Sequence, residues 1–247
     1  MVIKSTLNYS PNFNLKKRDQ KKIKFIIIHY TGMKSESAAI ERLTNIQSEV
    51  STHYFIKNNG KIEVMVPDLF IAWHAGKSSW KNLSSLNDYS IGIEISNPGH
   101  EFKYRNFSKK QISSLMKLCS FLMKKYKIFR GNILGHSDIA PDRKKDPGEK
   151  FPWKKLSKRR IGYWHNFKKE YLSTLRNVDI DKRKQKLFFK NIIRIGYNKS
   201  LCRNLYKRKM LIKAFQRRFR QELVNGKIDE EIFIISKKLV NIINKSS

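Results

Sequence analysis

The chain has 247 residues, with 53 Lys and Arg against 20 Asp and Glu and a formal charge of +33. Hydrophobic residues make up 40% and aromatics 12%, which supports a core for one ordinary domain plus a small second unit and excludes a wholly disordered chain. A charge this large bears on partners rather than on fold, and nucleic acid, anionic lipid or an acidic polymer would all fit it, although an AT-rich genome alone would also enrich Lys, Asn and Ile.

Residues 1–22 are polar and basic and read as an extended N-terminal arm. The segment lacks the apolar stretch of a signal peptide, and no later run is long enough to span a membrane. As read, the protein is a cytoplasmic monomer without a transmembrane segment; the periplasm or cell envelope is the alternative if a leader precedes Met1. Phe25-Ile26-Ile27-Ile28 is a β-branched run that predicts a buried central strand, ending at His29. Residues 36–48 predict a helix with Ala39, Ile40, Leu43 and Ile46 on one face. Strands follow at Tyr54-Phe55-Ile56 and at residues 62–66, joined by the hairpin signal Asn58-Asn59-Gly60. Ile91–Ile95 predicts another strand. Ser108 and Gln111 have capping-box spacing at the start of a helix over 108–126, and residues 132–136 form a last short strand.

The fold class is therefore α/β: a mixed central sheet flanked by helices over residues 23–172, then a small C-terminal three-helix domain over 173–247. The charged stretch around 173–186 marks a linker or the start of the new unit. Its helices are signalled by Leu187 to Ile193, Met210 to Phe219 and Ile232 to Ile242, with Asn225-Gly226 as the break between the last two. The two cysteines, Cys119 and Cys202, lie far apart and match no metal spacing, which predicts two buried free thiols and demands no oxidising compartment.

Chemistry concentrates at strand ends. His29 and His136 each follow an apolar strand, where ligands collect in open α/β sheets. Taken singly, either is an ordinary structural or surface histidine. The loop after His136 contains Asp146-Pro147-Gly148, which presents a carboxylate rigidly but is also an ordinary turn. Two histidines and one carboxylate make a catalytic zinc set with a fourth position open. Glu94 lies inside an apolar strand, either facing a cleft as a proton shuttle or facing solvent on an edge strand.

These residues fall within motifs that occur in order: Ile27-Ile28-His29-Tyr30-Thr31, Ser51-Thr52-His53-Tyr54-Phe55-Ile56, Ala72-Trp73-His74-Ala75-Gly76, Asn87 to Glu94, His136 to Gly148, and Phe151-Pro152-Trp153. Over about residues 8–165 the chain resembles the zinc-dependent N-acetylmuramoyl-L-alanine amidases, relatives of phage amidase lysozymes and animal peptidoglycan recognition proteins. The resemblance implies Zn2+ held by His29, His136 and Asp146. It assigns Glu94 to activation of the attacking water and Lys144 to the oxyanion, and it places Trp73, His74 and Asn97 along the substrate groove. His53 falls beside the site as either a structural histidine or a ligand contact. Ile195-Gly196-Tyr197, Ala214 to Arg220 and Asn225 to Asp229 resemble a three-helix peptidoglycan-binding domain. The implied partners are peptidoglycan or muropeptide fragments, whose acidic stems suit a basic protein. Two rivals follow: a relative that binds cell wall without cutting it, and a basic nucleic-acid binder, for which no recognised motif is present.

Overall fold

The structure, a computed structural model, describes residues 4–245. Residues 1–3 of the predicted arm and 246–247 of the predicted C-terminal domain lie outside the described residues. One six-stranded sheet organises the molecule. Its strands are β1 (Ser5–Leu7), β2 (Phe25–Tyr30), β3 (Tyr54–Ile56), β4 (Ile62–Val64), β5 (Ser90–Ile95) and β6 (Ile133–Gly135), in the order β1-β4-β3-β5-β2-β6. Every neighbouring pair is parallel except the β3–β4 hairpin. β2 and β5 lie in the interior of the sheet; the apolar run Phe25–Ile28 of β2 is what a strand covered on both faces requires, whereas β5 alternates Ile91, Ile93 and Ile95 with Ser90, Gly92 and Glu94. Glu94 is therefore on an interior strand, not on the solvent face of an edge.

The register of β2 on β5 pairs His29 with Glu94, Ile27 with Gly92 and Phe25 with Ser90. Side chains alternate along a strand, so Ser90, Gly92, Glu94 and His29 share one face. Phe55 of β3 pairs with Glu94 and lies on that face too. It packs against Ala39 and Leu43 of helix α1 (Glu36–Thr44). Helix α1 is shorter than predicted because the Asn45 side chain accepts from Gln47 N and caps a separate 3-10 turn at Ile46–Ser48. Helix α2 (Lys109–Tyr126) has both capping-box hydrogen bonds between Ser108 and Gln111. Its stripe of Ile112, Leu115, Leu118, Cys119 and Leu122 is buried in the main core. No helix among the described residues is long and apolar enough to cross a membrane.

The segment read as an arm is stitched into the domain from Ser5 onward. β1 adds an edge strand, Phe13-Asn14 pairs with Ile71-Ala72, and Arg18 is buried. Arg18 donates to the carbonyls of Asp68, Asn87 and Ser90 at 2.8–2.9 Å, so its charge is met by backbone oxygens. A lone polar residue in a basic stretch carries no sequence signal for this.

After α3 (His136–Ile139), α4 (Trp153–Ser157) and α5 (Lys169–Leu175) come α6 (Lys182–Ile195), α7 (Leu205–Phe219) and α8 (Glu230–Asn244). Asp181, Asn204 and Asp229 cap the last three, each accepting a backbone N–H three residues on. The stretch around 173–186, read as a linker or the start of a new unit, holds the end of α5 and the start of α6, and within it Arg176 forms a 2.7 Å pair with buried Glu231. Phe188, Ile192, Leu211, Phe215, Ile232 and Leu239 belong to the same core as the sheet residues, so the three-helix unit shares its interior with the catalytic domain. Neither cysteine is bonded; Cys119 is buried, whereas Cys202 is only half-buried.

Candidate metal centre and active-site cleft

The sheet register brings distant residues together. His29 leaves β2, and His136 opens α3 directly after β6, the next strand. The Asp146 carbonyl accepts from Ser137 N at 2.8 Å, which folds the intervening loop back so that its carboxylate returns beside His136. His29 Nδ1 and His136 Nδ1 are 2.9 Å apart, and each is 3.1 Å from Asp146 Oδ2. All three residues are buried.

The proton positions follow from the partners of the outer nitrogens. Ser90 Oγ donates to the Leu86 carbonyl, so it must accept from His74 Nε2–H at 3.1 Å. That leaves His74 Nδ1 as an acceptor, 3.1 Å from His29 Nε2, which must donate. His29 Nδ1 is thereby a bare lone pair. His136 Nε2 faces the Ala75 carbonyl at 3.1 Å and donates to it, so His136 Nδ1 is bare as well. Two lone pairs and a carboxylate converge on one point, an arrangement that a shared metal ion would relieve. Donors about 2.0–2.1 Å from a shared ion stand about 3.3 Å apart in a tetrahedron, so the three need open by only a few tenths of an ångström. The donor set therefore fits a divalent metal.

Burial, reinforced by neighbouring His136, lowers the His29 pKa to about 4. Burial pulls Asp146 the other way, yet the two histidines hold its carboxyl well below the usual range. Glu94 is pushed up to about 8 by burial and then by the charge of Asp146. Its Oε2 is shielded from solvent without a hydrogen-bond partner, which makes it a candidate for proton transfer.

A cleft of about 360 Å³ opens over these groups, bordered by Tyr30, Trp73, His74, Arg42, Arg143 and Lys144 among others. Lys144 and Trp73 line this cleft; the Trp73 indole donates to Asn14 at 2.7 Å. Asn97 does not reach it. Its amide donates to the Arg105 carbonyl and its oxygen accepts from Gly99 N, so both ends are spent on shaping the loop beyond β5. His74 borders the cleft, but both ring nitrogens are committed inward, which makes it the residue that orients His29 rather than one free to bind substrate. His53 accepts from Gly92 N and faces the Phe70 carbonyl, a structural histidine outside the cleft. Sequence reasoning gave no role to Ser90, although it lies in the Asn87 to Glu94 motif, or to Arg143, which donates to the carbonyls of Ala75 and Lys77 beside His136.

Gly92 makes the His74 relay possible: a Cβ there would stand 2.5 Å from the His74 ring. His74→Ala is expected to leave His29 Nε2–H without its partner and to weaken metal binding about 10–100-fold, the range for losing a residue that orients a ligand. Competition with a chelating dye measures this.

Buried neutral histidines also set the acid limit of the metal-free fold. Burial depresses His29 and His165 to about 4, His53 to about 3, and His74 well below its ordinary value. The unfolded chain binds these protons below about 6.5 while the folded chain resists them. Their contribution is complete above that pH and is lost as pH falls toward 4. The melting temperature of the metal-free protein is expected to drop steadily from pH 6.5 to 4; a flat profile would contradict it.

A parallel-centred α/β sheet with a buried His–His–Asp cluster and an unpartnered carboxyl in a basic cleft defines a candidate metal-dependent hydrolase. The chain belongs to the N-acetylmuramoyl-L-alanine amidase family, whose description matches residues 19–149. The Escherichia coli (strain K12) N-acetylmuramoyl-L-alanine amidase AmiD is 34% identical over 231 residues, covering 89% of this chain and 83% of that protein. The solved complex of E. coli AmiD with anhydro-N-acetylmuramic acid-L-Ala-D-gamma-Glu-L-Lys aligns with a TM-score of 0.78 at 33% identity, covering 90% of each chain. Pseudomonas aeruginosa AMPDH3 in complex with anhydromuramic pentapeptide aligns with a TM-score of 0.79 at 29% identity, covering 94% of this chain and 97% of that one.

Proposed function

We propose that the protein is a zinc-dependent N-acetylmuramoyl-L-alanine amidase. It hydrolyses the amide between the lactyl group of N-acetylmuramic acid, or its anhydro form, and L-alanine in peptidoglycan and muropeptides, in cell-wall degradation and recycling. The observation that carries this reading is the convergence of two bare imidazole nitrogens and a carboxylate beside Glu94. His29, His136 and Asp146 would hold zinc, which supplies charge to polarise the scissile carbonyl and acidify the attacking water. Glu94 takes the proton from that water and later delivers it to the amine of L-alanine as the amide breaks. Lys144, which lines the cleft, would meet the oxygen on which negative charge develops. The working unit of this proposal is a monomer. The basic rim of Arg42, Arg143 and Lys144 attracts the carboxylates of the peptide stem.

The test is incubation with an anhydromuramyl tripeptide. Mass spectrometry should find the free anhydro sugar and a peptide with a free L-alanine amine. Chelation should abolish both products and zinc should restore them. Binding without cleavage by the zinc-loaded protein would instead favour the non-catalytic cell-wall binder, and cleavage indifferent to chelator would remove the metal.

A further inference from the structure

Asp138 lies two residues beyond His136 and is 1% exposed, yet it touches nothing in the cleft. Its Oδ2 accepts from Gly135 N at 2.7 Å and from the Arg218 guanidinium, and its Oδ1 accepts from Tyr197 OH at 2.7 Å. Tyr197 comes from the turn after α6 and Arg218 from α7. Both partners therefore reach across from the C-terminal helices. Arg218 also donates to the Ile133 carbonyl of β6 at 2.9 Å and stacks on Trp153 at 4.2 Å from its centroid. Tyr197 packs edge-on against Trp80, and Gly196 lets it approach: a Cβ there would stand 2.3 Å from the indole.

Helix α3 has only four residues, too few to hold its own geometry. Its orientation, and with it the direction of the His136 ring, is imposed from outside. We infer that the C-terminal helices are a brace for the active site, in which Tyr197 and Arg218 position His136 through the buried carboxylate of Asp138. These residues sit in the segments that resemble a peptidoglycan-binding domain, but here they point inward at the catalytic domain. The inference deepens the reading of His136 as a metal ligand and rests on it for its functional consequence. Tyr197, Arg218 and Asp138 are positioning residues; none touches the reacting atoms.

The test uses the full chain with Tyr197→Phe, which removes one hydroxyl, and Asp138→Asn, which keeps shape but removes the charge opposite Arg218. Arg176→Gln is the control, because it breaks the pair with Glu231 in the same helical unit without touching α3. Hydrogen exchange is followed over residues 133–146 in metal-free protein, and zinc affinity by dye competition. Both brace variants should speed exchange in that segment and weaken zinc about tenfold or more, with kcat falling more than KM rises at saturating zinc. The control should lower the melting temperature and leave both readouts at the wild-type level. Exchange and zinc affinity unchanged in the brace variants, or changed equally in the control, would overturn the inference. If the wild type takes up no zinc, the metal reading fails, while the exchange data still decide whether the brace exists.

Discussion

Glu94→Gln is expected to keep zinc at wild-type stoichiometry and to lose about three orders of magnitude in kcat, within the range for removing a positioned general base. Glutamine matches the shape of the carboxyl but cannot accept a proton from water. The structure separates this role from metal holding. Glu94 is beside His29 in register, but Oε2 makes no hydrogen bond and is outside the group of converging donor atoms. The cleft around it is pre-shaped by Phe55 and α1, so the substitution should leave the fold intact. Metal analysis alongside single-turnover cleavage checks it, and a loss of less than tenfold in kcat would take Glu94 out of the reaction.

Asp146→Ala should act on the metal instead. Among the described residues its Oδ2 is the one anionic donor facing both Nδ1 atoms, and without it two neutral rings are left with a weakened pull on a cation. Structural zinc binding of about 10–16 kcal/mol over four donors corresponds to roughly 3 kcal/mol per ligand, or about two orders of magnitude in affinity. Activity at limiting zinc should therefore fall below about 1% of wild type and recover in part as zinc is raised. Glu94→Gln should show no such recovery. The contrast between the two variants separates a proton carrier from a ligand, and identical zinc titrations would contradict the assignment.

Much of this was legible along the chain. The apolar run of β2 marked a buried central strand, the Ser108–Gln111 spacing a capped helix, and Asn58-Asn59-Gly60 a hairpin, because each signal lies within a few residues. The ordered motifs around His29, Glu94, His136 and Asp146 also marked the family, since several residue types at set spacings rarely coincide without a shared site. What was not legible depended on groups far apart in sequence. Arg18 looked like part of a solvated arm, although the carbonyls of Asp68, Asn87 and Ser90 draw it inside. Asn97 looked like a groove residue but shapes the loop beyond β5, and His74 does border the cleft but spends both ring nitrogens within the protein. The charge around residues 173–186 looked like a linker or the start of a new unit, and only the fold shows that Arg176 and Lys184 find acidic partners on α8.

By itself the amino-acid order determined the strands, the caps and the set of chemically capable side chains, because periodicity and local hydrogen bonding act over short stretches of chain. Only the tertiary structure decided which ring nitrogen each histidine turns inward, since that follows from Ser90, Leu86 and Ala75, which reach the rings from other segments. It also decided that the C-terminal helices share the catalytic core, because the buried charge of Asp138 is balanced by an arginine eighty positions away.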